Sequence, residues 1–404
     1  MLPRHLQASL ESAADQLPVV TLTGPRQSGK TTLARHTFPD HAYASLEDPE
    51  TREFALEEPR RFLASFSRGV VLDEVQRTPG LFSFIQVIVD EDPRPGRFVL
   101  TGSENFLLAE RISQSLAGRC AVLHLLPFSR GELERRPAID PAQLDAPERD
   151  EGWPSSAGKA EPSLDEALFR GSYPRVHHTG VDARRWLSGY VATYVERDVR
   201  QVVNVGQLEI FQRFLRLCAG RSGQVLNLAS LANDVGVSPP TVRSWLSVLE
   251  ASFLVLRLPP HLSNFNKRLI KSPKIHFVDS GLLCFLLGIR SPDDLASHPL
   301  RGAVFESFVI SEFLKSFQHV GEEAPLYFWR DRTGNEIDLL VDLGRRLVPW
   351  EIKSAESVTT KAFATLSWWQ GLAGNPHRGG GLVHGGERSY RRNSLAVRSW
   401  RHCS

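Results

Sequence analysis

The chain has 404 residues, enough for two or three domains, and its 41% hydrophobic and 23% charged residues are those of an ordinary globular protein. A net charge of +2 neither requires nor excludes a nucleic-acid partner, so any such binding has to come from a local basic surface. Four scattered cysteines without a C-x-x-C pair give no sign of zinc or redox chemistry. With neither a signal-peptide core nor an apolar run of about 18 residues, the sequence predicts a cytoplasmic protein that does not cross a membrane.

The stretch from Gly24 to Thr31 fits the phosphate-loop pattern G-x-x-x-x-G-K-[ST]. An apolar strand, residues 19–23, precedes it, and a helix-compatible segment follows, as the pattern requires. A glycine turn in an unrelated α/β protein is the alternative interpretation. Backbone N–H groups, the helix N-terminus, the Lys30 ammonium and the Thr31 hydroxyl favour ATP with Mg²⁺. The predicted nucleotide-binding residues are Gly24, Pro25, Arg26, Gln27, Ser28, Gly29, Lys30, Thr31 and Thr32.

Two carboxylates end the next buried strand, at Asp73 and Glu74. In phosphate-loop ATPases the aspartate holds magnesium and the following glutamate polarises the attacking water, so we assign these roles to Asp73 and Glu74. A solvated strand end is the alternative. The strand after that ends at Thr101, and either Thr101 or Ser103 is the candidate for sensing the γ-phosphate.

A helical pattern from Asn105 to Leu116 then leads to Arg119, just before a further strand. An arginine there either acts as an arginine finger on the nucleotide of a neighbouring subunit or interacts with the dipole at a helix C-terminus. Arg111 is a second candidate for the finger. Strands near positions 20, 44, 71, 99 and 123 alternate with helical segments, which predicts a parallel sheet covered by helices on both faces.

The middle of the chain begins with a polar, proline-rich stretch over residues 134–163, which we interpret as a flexible linker or insertion. Residues 226–258 read as a winged helix-turn-helix, with a turn at 236–238, Ser238 as N-cap of the second helix and a wing strand at 254–258. Such modules either bind DNA or pack against other domains. If this one binds DNA, Thr241, Arg243 and Ser244 face the groove.

The basic stretch from Lys267 to Lys274 either follows a phosphate backbone or is an exposed loop before a strand. Further on, residues 335–342 and 347–353 form a predicted β-hairpin whose turn places Asp338 opposite Glu351. Period-two alternation puts Asp338, Glu351 and Lys353 on one face. Two opposed carboxylates repel unless a cation lies between them, which indicates a metal site for Mg²⁺ or Mn²⁺ with Lys353 beside it. Glu306, early in an amphipathic helix, is a further candidate ligand.

The order of these motifs resembles a family of prokaryotic AAA-type P-loop ATPases. Its further motifs are Leu-Thr-Gly-Ser at 100–103, Ser-Leu-Ala-Gly-Arg at 115–119, Phe-Val-Asp-Ser-Gly-Leu at 277–282 and Glu-Ile-Lys at 351–353. The resemblance implies an α/β chain with an N-terminal P-loop NTPase parallel sheet, a central helical and winged-helix region and a C-terminal restriction-endonuclease-like domain. Asp338, Glu351 and Lys353 match the Asp and Glu-x-Lys motif of that last fold. At Ser103 the family usually has asparagine.

We therefore expect an ATPase core at residues 1–133, the linker at 134–163, a helical and winged-helix domain at 164–262 and a nuclease-like domain at 263–404. The expected function is ATP hydrolysis coupled to DNA processing, with Glu74, Lys30 and Arg119 as catalytic residues in the first domain. The expected partners are ATP, DNA and further copies of the chain. The alternative is a nucleotide-controlled regulatory switch whose nuclease-like domain is catalytically idle.

Overall fold

A computed structural model describes residues 2–103, 115–143, 162–195, 208–262, 270–374 and 379–404. The chain forms two compact units. The first comprises residues 1–128, 251–253 and 318–322, and the second comprises residues 129–250, 254–317 and 323–404. The helix predicted from Asn105, with Arg111, and residues 144–161 of the predicted linker lie outside the described ranges.

The first unit is a five-stranded parallel sheet in the order β2-β3-β4-β1-β5. Its strands are β1 (Val19–Thr23), β2 (Ala42–Ser45), β3 (Val70–Asp73), β4 (Phe98–Thr101) and β5 (Cys120–His124). Its helices are α1 (Gln7–Gln16), α2 (Lys30–Thr37), α3 (Pro49–Glu57), α4 (Pro59–Ala64) and α5 (Leu81–Glu91), and a short 3₁₀ turn spans Val75–Arg77. The predicted parallel sheet of a P-loop NTPase is thus confirmed.

The central strand β1 is buried at all five positions, as a parallel strand covered by helices on both faces should be. Leu22 packs in one apolar cluster with Leu10 of α1, and Val19 packs in another with Phe82 of α5. Because the strands are parallel, their carboxyl ends meet at one edge of the sheet, which is where ligands bind in open α/β sheets. That edge carries the phosphate loop.

The second unit begins with helices. These are α6 (Arg130–Leu133), α7 (Leu164–Arg170), α8 (Pro174–His178), α9 (Ala183–Tyr190, followed by a π-helical turn at Val191–Val195), α10 (Leu208–Gly220), α11 (Leu228–Val235) and α12 (Pro239–Ala251). The predicted turn between α11 and α12 is present. Gly236 ends α11 with φ of 83°, a conformation that favours glycine, and Thr241 donates its backbone N–H to the Ser238 hydroxyl at the start of α12.

A two-stranded antiparallel sheet follows, made of β6 (Val255–Leu258) and β7 (Lys274–Phe277). Then come α13 (Ser280–Leu286), α14 (Pro292–Ser297) and α15 (Arg301–His319). The last part is a mixed six-stranded sheet in the order β12-β13-β11-β10-β9-β8, with helix α16 (Thr360–Ala373). Its strands are β8 (Leu326–Arg330), β9 (Glu336–Asp342), β10 (Leu347–Lys353), β11 (Gly381–His384), β12 (Tyr390–Arg392) and β13 (Leu395–Ser399).

Large apolar side chains hold this second sheet in place. Trp350 of β10 is fully buried and packs edge-to-face on Phe313 of α15, while Trp329 and Trp369 are buried in a cluster with Ile337 of β9. Strands β9 and β10 thus contribute apolar side chains to two separate clusters, and every residue of β10 except Lys353 is buried. None of the helices in the described ranges is long and apolar enough to cross a membrane.

Candidate functional site

The phosphate loop is shaped by close backbone approach. Gly24 has φ of 142°, and a Cβ atom added there would lie 2.2 Å from the Leu125 carbonyl oxygen, so only glycine fits. Gly29, with φ of 96°, ends the loop and starts α2. No side chain caps this helix in the described structure, so its positive N-terminal end is left for an anion.

Lys30 is buried at the start of α2, with only 7% of its surface exposed. Its Nζ donates to the Gly24 and Pro25 carbonyl oxygens, both at 2.9 Å. These bonds hold the ammonium over the loop, where it can contact phosphate oxygens as a compact point charge. The loop thus lies between β1 and α2, as the sequence pattern requires, and Lys30 is held against its backbone.

Asp73 lies at the end of β3 and accepts hydrogen bonds from three hydroxyls. Thr31 Oγ1 is 2.9 Å from Asp73 Oδ1, Tyr43 OH is 3.0 Å from Oδ2, and Thr101 also bonds to Oδ1. Burial and the Asp73 charge raise the pKa of Tyr43. A hydroxyl and a carboxylate in contact are the oxygen donors that Mg²⁺ prefers, so Thr31 and Asp73 fit that ion.

Glu74 follows β3 in a left-handed conformation, with φ of 55°, which is unusual for a residue other than glycine. Gln76 Nε2 donates to Glu74 Oε2 and also to Ser103 Oγ, at 3.2 Å from the latter. Thr101 thus donates a hydrogen bond to Asp73, whereas Ser103 is linked to Glu74 through Gln76. Nothing in the sequence pattern singled out Tyr43 or Gln76, because neither belongs to a motif.

Arg119 lies at the sheet edge opposite the phosphate loop. Strand β5 pairs with β1 so that Cys120 is beside Val19 and His124 is beside Thr23, which puts Arg119 beyond the amino end of both strands. Its guanidinium binds Asp90, with Nη2 3.0 Å from Oδ2, and Nη1 donates to the Ala117 carbonyl. Arg119 therefore does not reach the phosphate loop of its own chain.

Arg4 contacts the phosphate loop, although no sequence motif indicates this contact. Its Nη1 donates to the Ser28 carbonyl at 2.8 Å, its Nη2 donates to the Leu126 carbonyl at 2.6 Å, and the guanidinium lies 4.6 Å from the Phe128 ring centroid. Arg4 is 6% exposed. These contacts join residues 24 and 122 positions apart, so no local pattern reveals them.

In the second unit, the predicted hairpin register is confirmed by four antiparallel pairs of β9 and β10, from Asp342 with Leu347 to Leu339 with Trp350. Beyond them, Lys353 Nζ lies 2.9 Å from Asp338 Oδ2 and 2.7 Å from Glu351 Oε2. Asp338 also accepts the Ile352 backbone N–H at 2.9 Å. The three predicted residues are thus brought together.

These residues line a cleft of about 690 Å³ that also contains Glu306, Glu336 and Lys274. Lys274 Nζ is 2.8 Å from Glu306 Oε1 and also contacts Glu336 Oε1, and Arg330 Nη1 is 3.1 Å from Glu336 Oε2. Lys274 is only 3% exposed. The prediction of an exposed or DNA-tracking basic stretch is wrong for Lys274, because the lysine is buried as the first residue of β7 and pairs with two half-buried carboxylates. Residues 267–269 of that stretch lie outside the described ranges.

Burial and opposing charges shift the ionisation of the cleft. Burial and the Asp338 charge raise the pKa of Glu351 to about 8, and burial raises the pKa of Glu306 to about 7 although Lys274 acts against it. Burial lowers the pKa of both lysines, but the facing carboxylates outweigh it and raise the pKa of Lys274 and Lys353 above the usual range.

The donor set of the cleft suits a hard cation. Glu351 Oε1 is buried without a hydrogen-bond partner, and an anionic oxygen in that position favours a metal ion. Within the described ranges, the cleft carboxylates do not bring three donor atoms within 4.8 Å of one another. The residues present therefore fit a metal held by Asp338 and Glu351.

Two of the three residues predicted to face a DNA groove are exposed in the helix-turn-helix segment. Arg243 and Ser244 are exposed on α12, whereas Thr241 is half-buried and its hydroxyl lies 2.8 Å from the Ser238 hydroxyl. Val242 and Trp245 are buried on the other side. This helix therefore has one face in the core and one polar face in solvent.

Comparison with known proteins gives three family matches. The model of an AAA domain matches residues 16–134, and two domains of unknown function, DUF8612 and DUF4143, match residues 161–293 and 301–401. The uncharacterized proteins Rv2008c of Mycobacterium tuberculosis and Mb2031c of Mycobacterium bovis are each 33% identical over 355 residues, 87% of this chain and 73% of theirs.

Among solved structures, the Walker-type ATPase PABY2304 of Pyrococcus abyssi is similar with a TM-score of 0.47 and 15% identity, over 71% of this chain and 96% of that one. The AAA domain match covers the phosphate loop together with Asp73, Glu74 and Ser103, and Arg4 lies outside it. The curated relatives extend the likeness into the second unit. The chain belongs, with these mycobacterial proteins, to a family of AAA-type P-loop ATPases.

Proposed function

We propose that the chain is a Mg²⁺-dependent ATPase that acts on DNA, with a metal-dependent nuclease-type cleft in its second unit. The observation that carries the ATPase part is the contact of Thr31 with Asp73 beside the buried Lys30. Three elements of one sheet edge, α2, β3 and the loop after β1, supply these groups. Their combination suits a nucleotide triphosphate with its magnesium ion.

Each residue of the nucleotide site has a separate task in this proposal. The loop N–H groups and Lys30 bind phosphate oxygens, and Thr31 with Asp73 would hold Mg²⁺, an ion that supplies positive charge against the phosphates. Glu74 accepts a proton from the attacking water and orients it. Because Gln76 donates hydrogen bonds to both Glu74 and Ser103, Glu74 has to leave Gln76 to reach that water.

The DNA-binding part of the proposal is supported by the helix-turn-helix geometry. Helices α11 and α12 and the β6–β7 pair match a winged helix in element order, and Arg243 and Ser244 lie on the exposed face of α12. An exposed arginine on the second helix of such a module can contact phosphates or base edges. We propose Arg243 as the main DNA contact of this helix.

The cleft supports phosphodiester hydrolysis. Asp338 and Glu351 would hold Mg²⁺ or Mn²⁺, an ion that activates water and stabilises charge on a phosphate. Lys353, 42% exposed and in contact with both carboxylates, can turn toward the scissile phosphate and stabilise the negative charge that develops there. Glu306 borders the same cleft and pairs with Lys274.

A second candidate function is a nucleotide-controlled regulatory switch with an idle cleft. The observation that favours it is that ammonium groups already lie between the carboxylates, so much of the negative charge is balanced without a metal. In that case nucleotide state governs exposure of α12, and the cleft has a structural role. DNA cleavage separates the two candidates.

The test is a panel of linear, nicked and branched DNAs incubated with Mg²⁺ or Mn²⁺, with and without ATP. The nuclease proposal requires cleavage by the wild type that is lost in Asp338→Asn while ATP hydrolysis is retained. Asp342→Asn is the matched control, because it makes the same change on the same strand at a residue that contacts His261 and does not line the cleft. Equal survival of every DNA with wild type and Asp338→Asn supports the switch.

The ATPase and DNA parts are tested separately by ATP turnover. We expect DNA to stimulate turnover in the wild type and in Asp338→Asn, and the stimulation to fall in Arg243→Gln. The DNA stimulation that remains in Arg243→Gln should depend less steeply on salt concentration, because one phosphate contact is lost. Turnover that is indifferent to all of these DNAs would count against DNA as the partner.

A further inference from the structure

Among the residues that the structure describes, the charged side chains of the cleft fall into two groups with no ion pair between them. The Lys353 group consists of Asp338, Glu351 and Lys353. The Lys274 group consists of Glu306, Glu336, Lys274 and Arg330. Each group contains two carboxylates with an ammonium between them, so each has the form of a two-carboxylate cation site.

The charge balance differs between the groups. With every member ionised, two carboxylates and one ammonium give the Lys353 group a charge of −1, whereas two carboxylates with Lys274 and Arg330 leave the Lys274 group neutral. The buried Glu351 Oε1, which has no hydrogen-bond partner, belongs to the Lys353 group. The formal charge therefore favours a divalent cation at the Lys353 group over the Lys274 group.

The two lysines also differ in how easily the ammonium group can move away from its carboxylate partners. Lys353 is 42% exposed in its side chain, so it can swing into solvent when a metal arrives. Lys274 is 3% exposed in its side chain and lies 5.5 Å from the Phe328 ring centroid. Its backbone pairs with Leu258 on one side and with Val225 on the other. Leaving would strand the half-buried Glu306 without its ammonium and leave Glu336 with Arg330 alone, which is unfavourable.

We propose that Lys274 is a built-in cation that permanently fills the place between Glu306 and Glu336, so that the cleft takes a single divalent ion, at Asp338 and Glu351. Lys274 is then a positioning residue that sets the number of metal ions, and Glu306 is its partner instead of a metal ligand. This inference rests on the metal site of the proposed function, and the following experiment separates the two.

The experiment counts Mn²⁺ ions bound per full-length chain, from the loss of the free Mn²⁺ electron paramagnetic resonance signal during titration. All proteins carry Asp73→Asn, which removes the magnesium ligand of the nucleotide site from the count. The test variant is Lys274→Met, which keeps the buried hydrocarbon stem and removes the charge. The control is Lys271→Met, the same change at an exposed lysine three positions earlier.

We expect the wild-type cleft and Lys271→Met to bind one ion, which Asp338→Asn abolishes, and Lys274→Met to bind two. Two ions in the wild type, or one in Lys274→Met, would overturn the inference and leave the metal site of the proposed function intact. If the wild type binds none but Lys274→Met binds one that Glu306→Gln removes, Lys274 does fill the place between Glu306 and Glu336, but the proposed metal site falls, and with it the single ion of the inference. No ion in either protein overturns both.

A second measurement does not depend on the folding of Lys274→Met. Glu306→Gln is nearly isosteric and leaves Lys274 paired with Glu336. If Lys274 fills this place, Glu306→Gln changes the Mn²⁺ affinity of the cleft by less than about twofold. A loss of about tenfold or more, as expected when a metal ligand or its direct support is removed, would show that Glu306 binds the metal and would refute the inference.

Discussion

Replacing Gly24 with alanine introduces a methyl group where the phosphate loop passes β5. The added Cβ would lie 2.2 Å from the Leu125 carbonyl oxygen and 3.0 Å from its carbonyl carbon, and both are backbone atoms that cannot rotate away. A strained backbone conformation costs about 1–3 kcal/mol, and overpacking adds a similar amount. We expect Gly24→Ala to destabilise the first unit by about 4 kcal/mol, a large share of a typical domain stability of about 5–15 kcal/mol.

Gly29→Ala is the matched control, because Gly29 also has a positive φ, of 96°, but its added Cβ lies no closer than 3.7 Å to Arg4 Nη1. It should lose only the backbone contribution, about 1–3 kcal/mol. All eight tryptophans follow residue 129, so intrinsic fluorescence reports on the second unit. Urea unfolding by far-ultraviolet circular dichroism should shift while the fluorescence transition stays unchanged. Equal destabilisation by the two substitutions would refute the steric argument.

The remaining predictions concern catalysis and pH. Lys30→Ala should abolish binding of a fluorescent ATP analogue, whereas Glu74→Gln should bind it normally and stall hydrolysis, since Lys30 contacts ground-state phosphates and Glu74 acts on water; full turnover by Glu74→Gln would remove that role. Arg119→Ala should slow ATP turnover only if the active form is an oligomer. A fully active monomer whose turnover the substitution does not change would exclude Arg119 as an arginine finger. Burial lowers the pKa of His124 from 6.5 to about 4. Between these pH values the imidazole is protonated in the unfolded chain but not in the folded one, so the free energy of unfolding falls as the pH decreases, by at most about 2 kcal/mol at pH 5. Urea midpoints should show this loss in the wild type and a smaller one in His124→Gln.

Local patterns explain which parts of the site the sequence predicts. The loop from Gly24 to Thr31 and the Asp338 hairpin are each specified within a few residues, by a motif in one case and by turn length with period-two alternation in the other. Chain packing decides the rest. Arg4 meets a loop far along the chain, and Lys274 pairs with Glu306 at a separation of 32 positions, so neither contact leaves a periodic signal in the sequence.

The position of Lys274 has a consequence for how this architecture is inherited. Lys274 lies in the segment matched by one domain family, residues 161–293, while Glu306 and Glu336 lie in the segment matched by another, residues 301–401. A recombination event that exchanged only the C-terminal segment would bring in acidic residues whose counter-charge belongs to the other parent. Chimaeras joined between these segments should therefore survive selection only when the parent that supplies the C-terminal segment also has a cation at the position of Lys274.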